Sequence, residues 1–206
     1  MRTFQYILKR IFDYGFSVLL VICSSPFMLA AMLTVKLCSP EDSIFFKQVR
    51  IGKNGKEITI YKLRSMTNER DANGELLPDE DRLKLWGKII RKTNLDEIPQ
   101  VKNIFCGEMS LIGPRPLLPR EMQVMTAEEQ KLRQSVLPGI TGWEAINENQ
   151  SDDRHEMALL DLYYVKNQSV LLDLKICFKT AYVIFFNRRP SDELRAPKME
   201  KEVVNK

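Results

Sequence analysis

The chain has 206 residues, enough for one compact domain with an appendage and short for two independent cores. Its 31 basic and 27 acidic side chains leave a formal charge of +4. That is far milder than a nucleic-acid binder carries, so no nucleic-acid partner is expected, whereas a membrane surface or a phosphorylated substrate suits it. The single histidine, His155, excludes a His-rich metal site, and Cys23, Cys38, Cys106 and Cys177 lack metal or redox-pair spacing and read as free thiols. Neither a Walker-type phosphate loop nor a glycine-rich dinucleotide fingerprint occurs.

The first element is apolar. Tyr14 to Val35 carries no charged side chain, and at ~1.5 Å per residue a straight helix of this length just crosses a hydrocarbon core of ~30 Å. Its middle holds Ser24-Ser25-Pro26, where proline removes a backbone donor and serine hydroxyls can serve the freed groups, so a bend is expected. Arg2, Lys9 and Arg10 precede the segment and Lys36, Lys47, Arg50 and Lys53 follow it, so under the positive-inside rule both flanks favour the cytoplasm. A re-entrant helix satisfies both flanks and a straight span violates one. A cleaved signal peptide is the third reading, which Asp13 and the polar lead fit poorly.

Ser43 to Arg50 and Glu57 to Arg64, separated by Gly52-Lys53-Asn54-Gly55, predict a β-hairpin. Ile58, Ile60, Lys62 and Arg64 then share a face whose cationic end either holds a phosphate or is a solvated strand terminus. Asn68 to Glu80 reads as a charged loop. A helix is predicted over Asp81 to Lys92, with Leu83, Trp86, Ile89 and Ile90 as its apolar stripe and Lys88, Arg91 and Lys92 suiting its C-terminal dipole.

Asp96-Glu97 follows. Asn94 with Glu97 resembles a capping box, or Asp96 itself starts the helix; either way Asp96 is expected at a helix N-terminus that keeps its carboxylate ionised. On its own residues the pair is indistinguishable from ordinary capping. Arg115 stands between Pro114 and Pro116, a stiff display suited to bidentate phosphate binding. Leu137 to Trp143 reads as turn-rich with an aromatic tip, and Asn149 to Glu156, including His155, as an exposed loop. Ser169 to Phe186 is apolar but carries Asp173, Lys175 and Lys179. It reads either as an interfacial helix with Arg188 and Arg189 facing anionic headgroups or as a core helix with a charged face.

Taken in order, Lys9-Arg10 with Asp13, the Ser25-Pro26 break, Tyr61 to Met66, Leu95-Asp96-Glu97, Met109 to Pro116, Pro138 to Trp143 and Tyr163 to Asn167 resemble the bacterial sugar transferase family. The resemblance is greatest to its small monotopic phosphoglycosyl transferases and covers almost the whole chain. It implies an α+β, mostly helical fold: a re-entrant membrane helix bent at Ser25-Pro26 over residues 1–38, a cytoplasmic catalytic domain over 39–190 with a small β-hairpin and interfacial helices, and a polar tail over 191–206. It implies transfer of a sugar-1-phosphate from a UDP-sugar to undecaprenyl phosphate with release of UMP, initiating surface glycan or glycoprotein synthesis. Asp96 would be the covalent nucleophile and Glu97 its helper. Mg²⁺ would sit on these two carboxylates, and Lys62, Arg91 and Arg115 would bind substrate phosphate, with Arg64 and Asp173 as secondary positions.

The implied setting is the cytoplasmic face of the bacterial inner membrane, among membrane lipids, with a UDP-N-acetylated hexosamine derivative as donor and a homodimer left open. Glu144 to Gln150 departs from many relatives, losing an arginine and gaining acid, which leaves the sugar unspecified. A phosphodiesterase and an inactive membrane-tethered scaffold are the competing readings.

Overall fold

The computed structural model describes residues 3–147 and 154–186. Helix α1 runs from Thr3 to Cys38 as one hydrogen-bonded helix through Pro26. Pro26 has no N–H for the carbonyl of Ile22, one turn back, and the Ser25 hydroxyl donates to that carbonyl at 2.9 Å. Any change of direction at Ser25-Pro26 is therefore a bend within a helix and not a loop between two helices. Phe4–Cys38 is long and apolar enough to cross a membrane. Its inward stripe has two halves: Lys9, Asp13 and Ser17 are buried near the start, Ala31 and Val35 near the end.

The hairpin forms where the turn signal placed it. Strands β1 (Phe45–Ile51) and β2 (Glu57–Leu63) pair antiparallel with Gln48 opposite Ile60. Asn54 and Gly55 take positive φ in the turn, as a tight reversal requires. Ile58 and Ile60, on the face they share, lie in the core, and Leu63 on the other face is buried under α1 with Val35 and Ile90.

The helix predicted over Asp81 to Lys92 is two pieces, α2 (Asp79–Arg82) and α3 (Leu85–Lys92), broken at Leu83 where φ/ψ is −83/80. The stripe also differs, with Ile89 exposed and Gly87 and Ile90 buried. Gly87 lies so close to the hairpin exit that a Cβ would stand 1.8 Å from the Ser65 carbonyl oxygen. That close approach, with Ile90 and Trp86 packed against Leu63 and Val35, sets α3 against the domain.

After the 3₁₀ turn Leu95–Gln100 comes α4 (Val101–Phe105), then β3 (Ser110–Ile112), which pairs in parallel with β4 (Gly139–Thr141). Gly113, Gly139 and Gly142 let these backbones touch: a Cβ on Gly139 would meet the Gly113 nitrogen at 2.1 Å. Trp143 is not an exposed tip. It is 4% exposed and packs in the main core with Ile112, Tyr164 and Ile176, because the β3–β4 pairing draws its segment inward.

Between these strands lies α5 (Ala127–Arg133), capped by Thr126, which accepts from the Glu129 N–H, while Glu129 accepts from the Thr126 N–H. Helix α6 (Arg154–Asn167) takes His155 out of the expected loop and pairs it with Glu129 at 3.3 Å. Helix α7 (Val170–Phe186) buries Asp173 and Ile176 while exposing Leu171 and Phe178, so it has a core face and a second apolar face. Arg188, Arg189 and the expected tail lie outside the described residues. All four cysteines are free.

Candidate active site

The 3₁₀ turn carrying Asp96 and Glu97 is entered through Asn94, whose φ/ψ of 53/20 is left-handed. Asn94 makes no side-chain cap, so the expected capping box is absent. The turn and the five-residue α4 after it are too short for a strong helix dipole, and Asp96 does not have the lowered pKa that a helix N-terminus would give. Its carboxyl is pushed up to about 6, first by burial and then by the neighbouring Glu97 charge, with Lys62 and Arg91 pulling the other way. The carboxylate is still ionised at neutral pH, as expected, but not through a helix N-terminus: desolvation beside a like charge outweighs the few free N–H groups.

Glu97 is held on both oxygens. Lys62 Nζ reaches Oε1 at 2.8 Å and Gln100 Nε2 donates to Oε2 at 3.1 Å. These groups line a small cavity of about 30 Å³ with Arg50, Arg115, Pro116 and Gly139. That is room for about one water, so a diphosphate would lie at its mouth. Arg115 is exposed there. Its backbone is fixed from behind: the Arg115 carbonyl accepts from Arg133, which forms a buried ion pair with Asp161 at 2.6 Å. Arg50 donates to the Pro116 carbonyl at 3.1 Å and reaches Glu121 at 3.3 Å. Its guanidinium is pressed below its usual value by burial and by the nearby Arg115 and Arg120, against the pull of Glu121 and Glu97. The cavity is thus ringed by cations beyond what its own carboxylates neutralise.

Of the residues singled out in the sequence, Lys62, Glu97 and Arg115 meet at one cavity, with Asp96 coupled through its charge to Lys62 and Glu97. Arg91 acts on Asp96 electrostatically while its Nε donates to the Ser65 hydroxyl at 2.9 Å. Arg64 does not join them. It donates to the Ser43 carbonyl and to Asn68, tying the hairpin base to the loop after it. Asp173 lies elsewhere too, buried with Lys9 at 2.7 Å and with the Tyr164 hydroxyl donating to it at 2.7 Å. Lys9 also donates to the Ile112 carbonyl, and Asp13 accepts from Ser110 and the Leu111 N–H, so this cluster fastens α1 to β3, α6 and α7. Burial pushes the Tyr164 hydroxyl far up, with Asp173 adding to it, so Tyr164 stays a donor.

Arg50 and Gln100 were not found from the sequence. Nothing in their neighbours marks them, although Arg50 ends a strand and Gln100 falls three residues after Glu97.

Among the described residues no group of three or more His, Cys, Asp or Glu side chains could hold a metal ion. The Asp96–Glu97 pair nevertheless fits Mg²⁺, which takes one or two carboxylates and completes its shell with water and substrate phosphates. The raised pKa of Asp96 beside Glu97 marks the place where a cation would relieve repulsion.

A carboxylate pair on a tight turn beside cations on rigid backbone is an arrangement chemically suited to phosphoryl groups. Residues 4–187 match the family described as bacterial sugar transferase, and the chain belongs to that family. It is 48% identical over 172 residues to "Uncharacterized sugar transferase EpsL" of Bacillus subtilis (strain 168), covering 82% of this chain and 83% of that one. It is 36% identical over 207 residues to "Exopolysaccharide production protein ExoY" of Sinorhizobium fredii, covering 91% and 90%. It is also 36% identical over 192 residues to the "UDP-glucose:undecaprenyl-phosphate glucose-1-phosphate transferase" of Escherichia coli (strain K12). That match covers 88% of this chain but only 41% of the longer relative.

Proposed function

We propose that this enzyme transfers a sugar-1-phosphate from a UDP-sugar to undecaprenyl phosphate at the cytoplasmic face of a bacterial inner membrane. The observation that carries the reading is the coupling of half-buried Asp96 to Glu97 and Lys62 beside a cation-ringed cavity. A carboxylate with a pKa of about 6 is ionised at neutral pH and more nucleophilic than an ordinary one. In the first step an Asp96 oxygen attacks the β-phosphorus of the donor. The bond from that phosphorus to the bridging oxygen breaks, and UMP leaves with the oxygen. In the second step a phosphate oxygen of the acceptor attacks the same phosphorus, Asp96 regains its carboxylate, and the product is a polyprenyl diphosphate sugar.

Lys62 and Arg115 stabilise charge on the transferred group, and Arg50 and Gln100 hold the backbone and the Glu97 carboxylate around it. Mg²⁺ bound at Asp96 and Glu97 would supply further charge neutralisation for the phosphates. The names of the relatives support an undecaprenyl-phosphate acceptor and include glucose and N-acetylgalactosamine as transferred sugars.

For the anchor we favour the re-entrant reading. The start of α1 is fastened to β3 and α7, and its end packs with Leu63 and Ile90, so both ends meet one domain. UMP release, measured with donor alone and with donor plus undecaprenyl phosphate, tests the function. A stoichiometric burst that becomes multiple turnover with acceptor is expected. Sustained release without acceptor would make the protein a phosphodiesterase.

A further inference from the structure

Arg115 has space on two sides. One is the small cavity beside Glu97, and the other is a second cavity of about 290 Å³, near the lower end of the volumes that hold a small ligand. Leu117, Val124 and Met157 are apolar walls of this second cavity, and Glu121, Asp161 and Arg154 are charged ones.

The two carboxylates differ in what they have left to accept. Glu121 takes the Leu118 N–H and Arg50 on Oε2 and Arg154 on Oε1. Asp161 takes two nitrogens of Arg133 on Oδ2 alone, at 3.0 and 2.6 Å. Its Oδ1 is buried and has no hydrogen-bond partner among the described residues. The Arg115 N–H acts on the charge of this carboxyl without closing a bond to that oxygen. A buried acceptor without a donor is rare in folded proteins, and here it stands in the wall of a cavity that a ligand can enter.

The course of the transfer says which part of the donor lies here. UMP departs after the first step, whereas the sugar stays with the transferred phosphoryl group through both, so its place is beside a cation that holds that group. Arg115 is such a cation and opens onto this cavity. A sugar bearing only hydroxyls would satisfy Asp161 but set polar groups against Leu117, Val124 and Met157. An acetamido substituent answers every wall: its N–H suits Asp161 Oδ1, its carbonyl suits Arg154, and its methyl suits the apolar side chains.

We infer that this cavity holds the sugar of the donor and selects an N-acetylated hexosamine, with Asp161 accepting from the acetamido N–H. The inference rests on the transferase reading above. It assigns sugar choice to the cavity behind Arg115 and leaves the nucleotide outside it.

The test uses the full-length protein in detergent micelles with Mg²⁺. The rate of the UMP burst at subsaturating donor is compared for UDP-N-acetylgalactosamine, UDP-N-acetylglucosamine and UDP-glucose, and inhibition of the burst by UMP is the control for folding and nucleotide binding. Wild type is expected to use at least one N-acetylated donor about tenfold or more faster than UDP-glucose. Val124→Trp fills the cavity from a position that is 40% exposed. It should slow the burst with that donor by about tenfold or more, with UMP inhibition within about twofold of wild type. Asp161→Asn keeps an oxygen for Arg133 and turns the open acceptor into a donor, so the preference should shrink to about threefold or less. If that variant does not fold, wild type and Val124→Trp decide the matter. A wild type that uses UDP-glucose as fast as either N-acetylated donor overturns the inference, as does a Val124→Trp burst within about twofold of wild type or an undiminished preference in folded Asp161→Asn. If Val124→Trp weakens UMP inhibition about tenfold, the cavity holds the nucleoside and the inference fails. Absence of any burst in the wild type sinks the transferase reading itself, a separate outcome.

Discussion

Replacing Asp96 by Asn removes the proposed nucleophile and also a charge that the fold tolerates poorly. The carboxyl stands at about 6 in the folded protein against an ordinary value of 3.8, raised by burial and then by Glu97. At ~1.4 kcal/mol per pKa unit the ionised form would cost the fold about 3 kcal/mol. Partial exposure of the side chain screens this to about 1–2 kcal/mol. Above pH 6 the group is ionised in both states and the fold bears the whole cost. As the pH falls through 6 the folded protein takes up its proton first, and below the ordinary value of 3.8 both states are protonated and the cost is gone. Asp96→Asn should therefore be inactive yet more stable than wild type at pH 7.5, by about 2–8 °C in Tm for a chain of this size. The gain should shrink toward zero near pH 4. Thermal unfolding in detergent without divalent cations, at pH 7.5 and 4.5, measures it. A variant no more stable than wild type at pH 7.5, or a gain that grows on acidification, would refute the reasoning.

On the proposed mechanism the same carboxyl governs the first step, so the UMP burst should be flat above pH 6 and fall about tenfold per unit below it. Lys62→Met removes both the partner of Glu97 and a charge that lowers the Asp96 pKa. The burst should slow by about 10–100-fold and its acid limb move to higher pH, and an unmoved limb would mean the two groups are uncoupled. Gly87→Ala puts a methyl group 1.8 Å from the Ser65 carbonyl oxygen and should lower stability by about 1–3 kcal/mol in denaturant titration. Lys9→Met leaves Asp173 buried without its cation and should cost about 3–5 kcal/mol, read as a lower unfolding midpoint.

Local signals were legible. The apolar stretch gave α1, and the glycine-rich turn between two strand-like runs gave the hairpin. What escaped notice is non-local. Strands β3 and β4 are three residues each and pair across more than twenty-five positions, so neither carries a periodic signature, and Trp143 is buried only because they pair. The break at Leu83 and the close approach of Gly87 to the Ser65 backbone likewise carry no local signature.

In the site, the motif residues Lys62, Glu97 and Arg115 do converge. Arg50 and Gln100 join them through the fold alone. The rise in the Asp96 pKa was not legible because a two-residue cap pattern says nothing of burial, and Asn94 takes a left-handed conformation that its type permits but does not announce. Asp173 was placed beside the chemistry from its position in the family pattern, yet its partner Lys9 lies 164 residues away and makes it part of the anchor's fastening.

The central claim is that Asp96 carries the phosphosugar between the two substrates. Incubation of the enzyme with UDP-glucose or UDP-N-acetylgalactosamine, without acceptor, followed by acid quench, proteolysis and mass spectrometry of the peptide containing Asp96, tests it most directly. With a donor the enzyme accepts, one sugar-phosphate on that peptide is predicted, matched by one UMP per enzyme and discharged by undecaprenyl phosphate. Full turnover with the adduct on another residue, or undiminished turnover by Asp96→Asn, would contradict it.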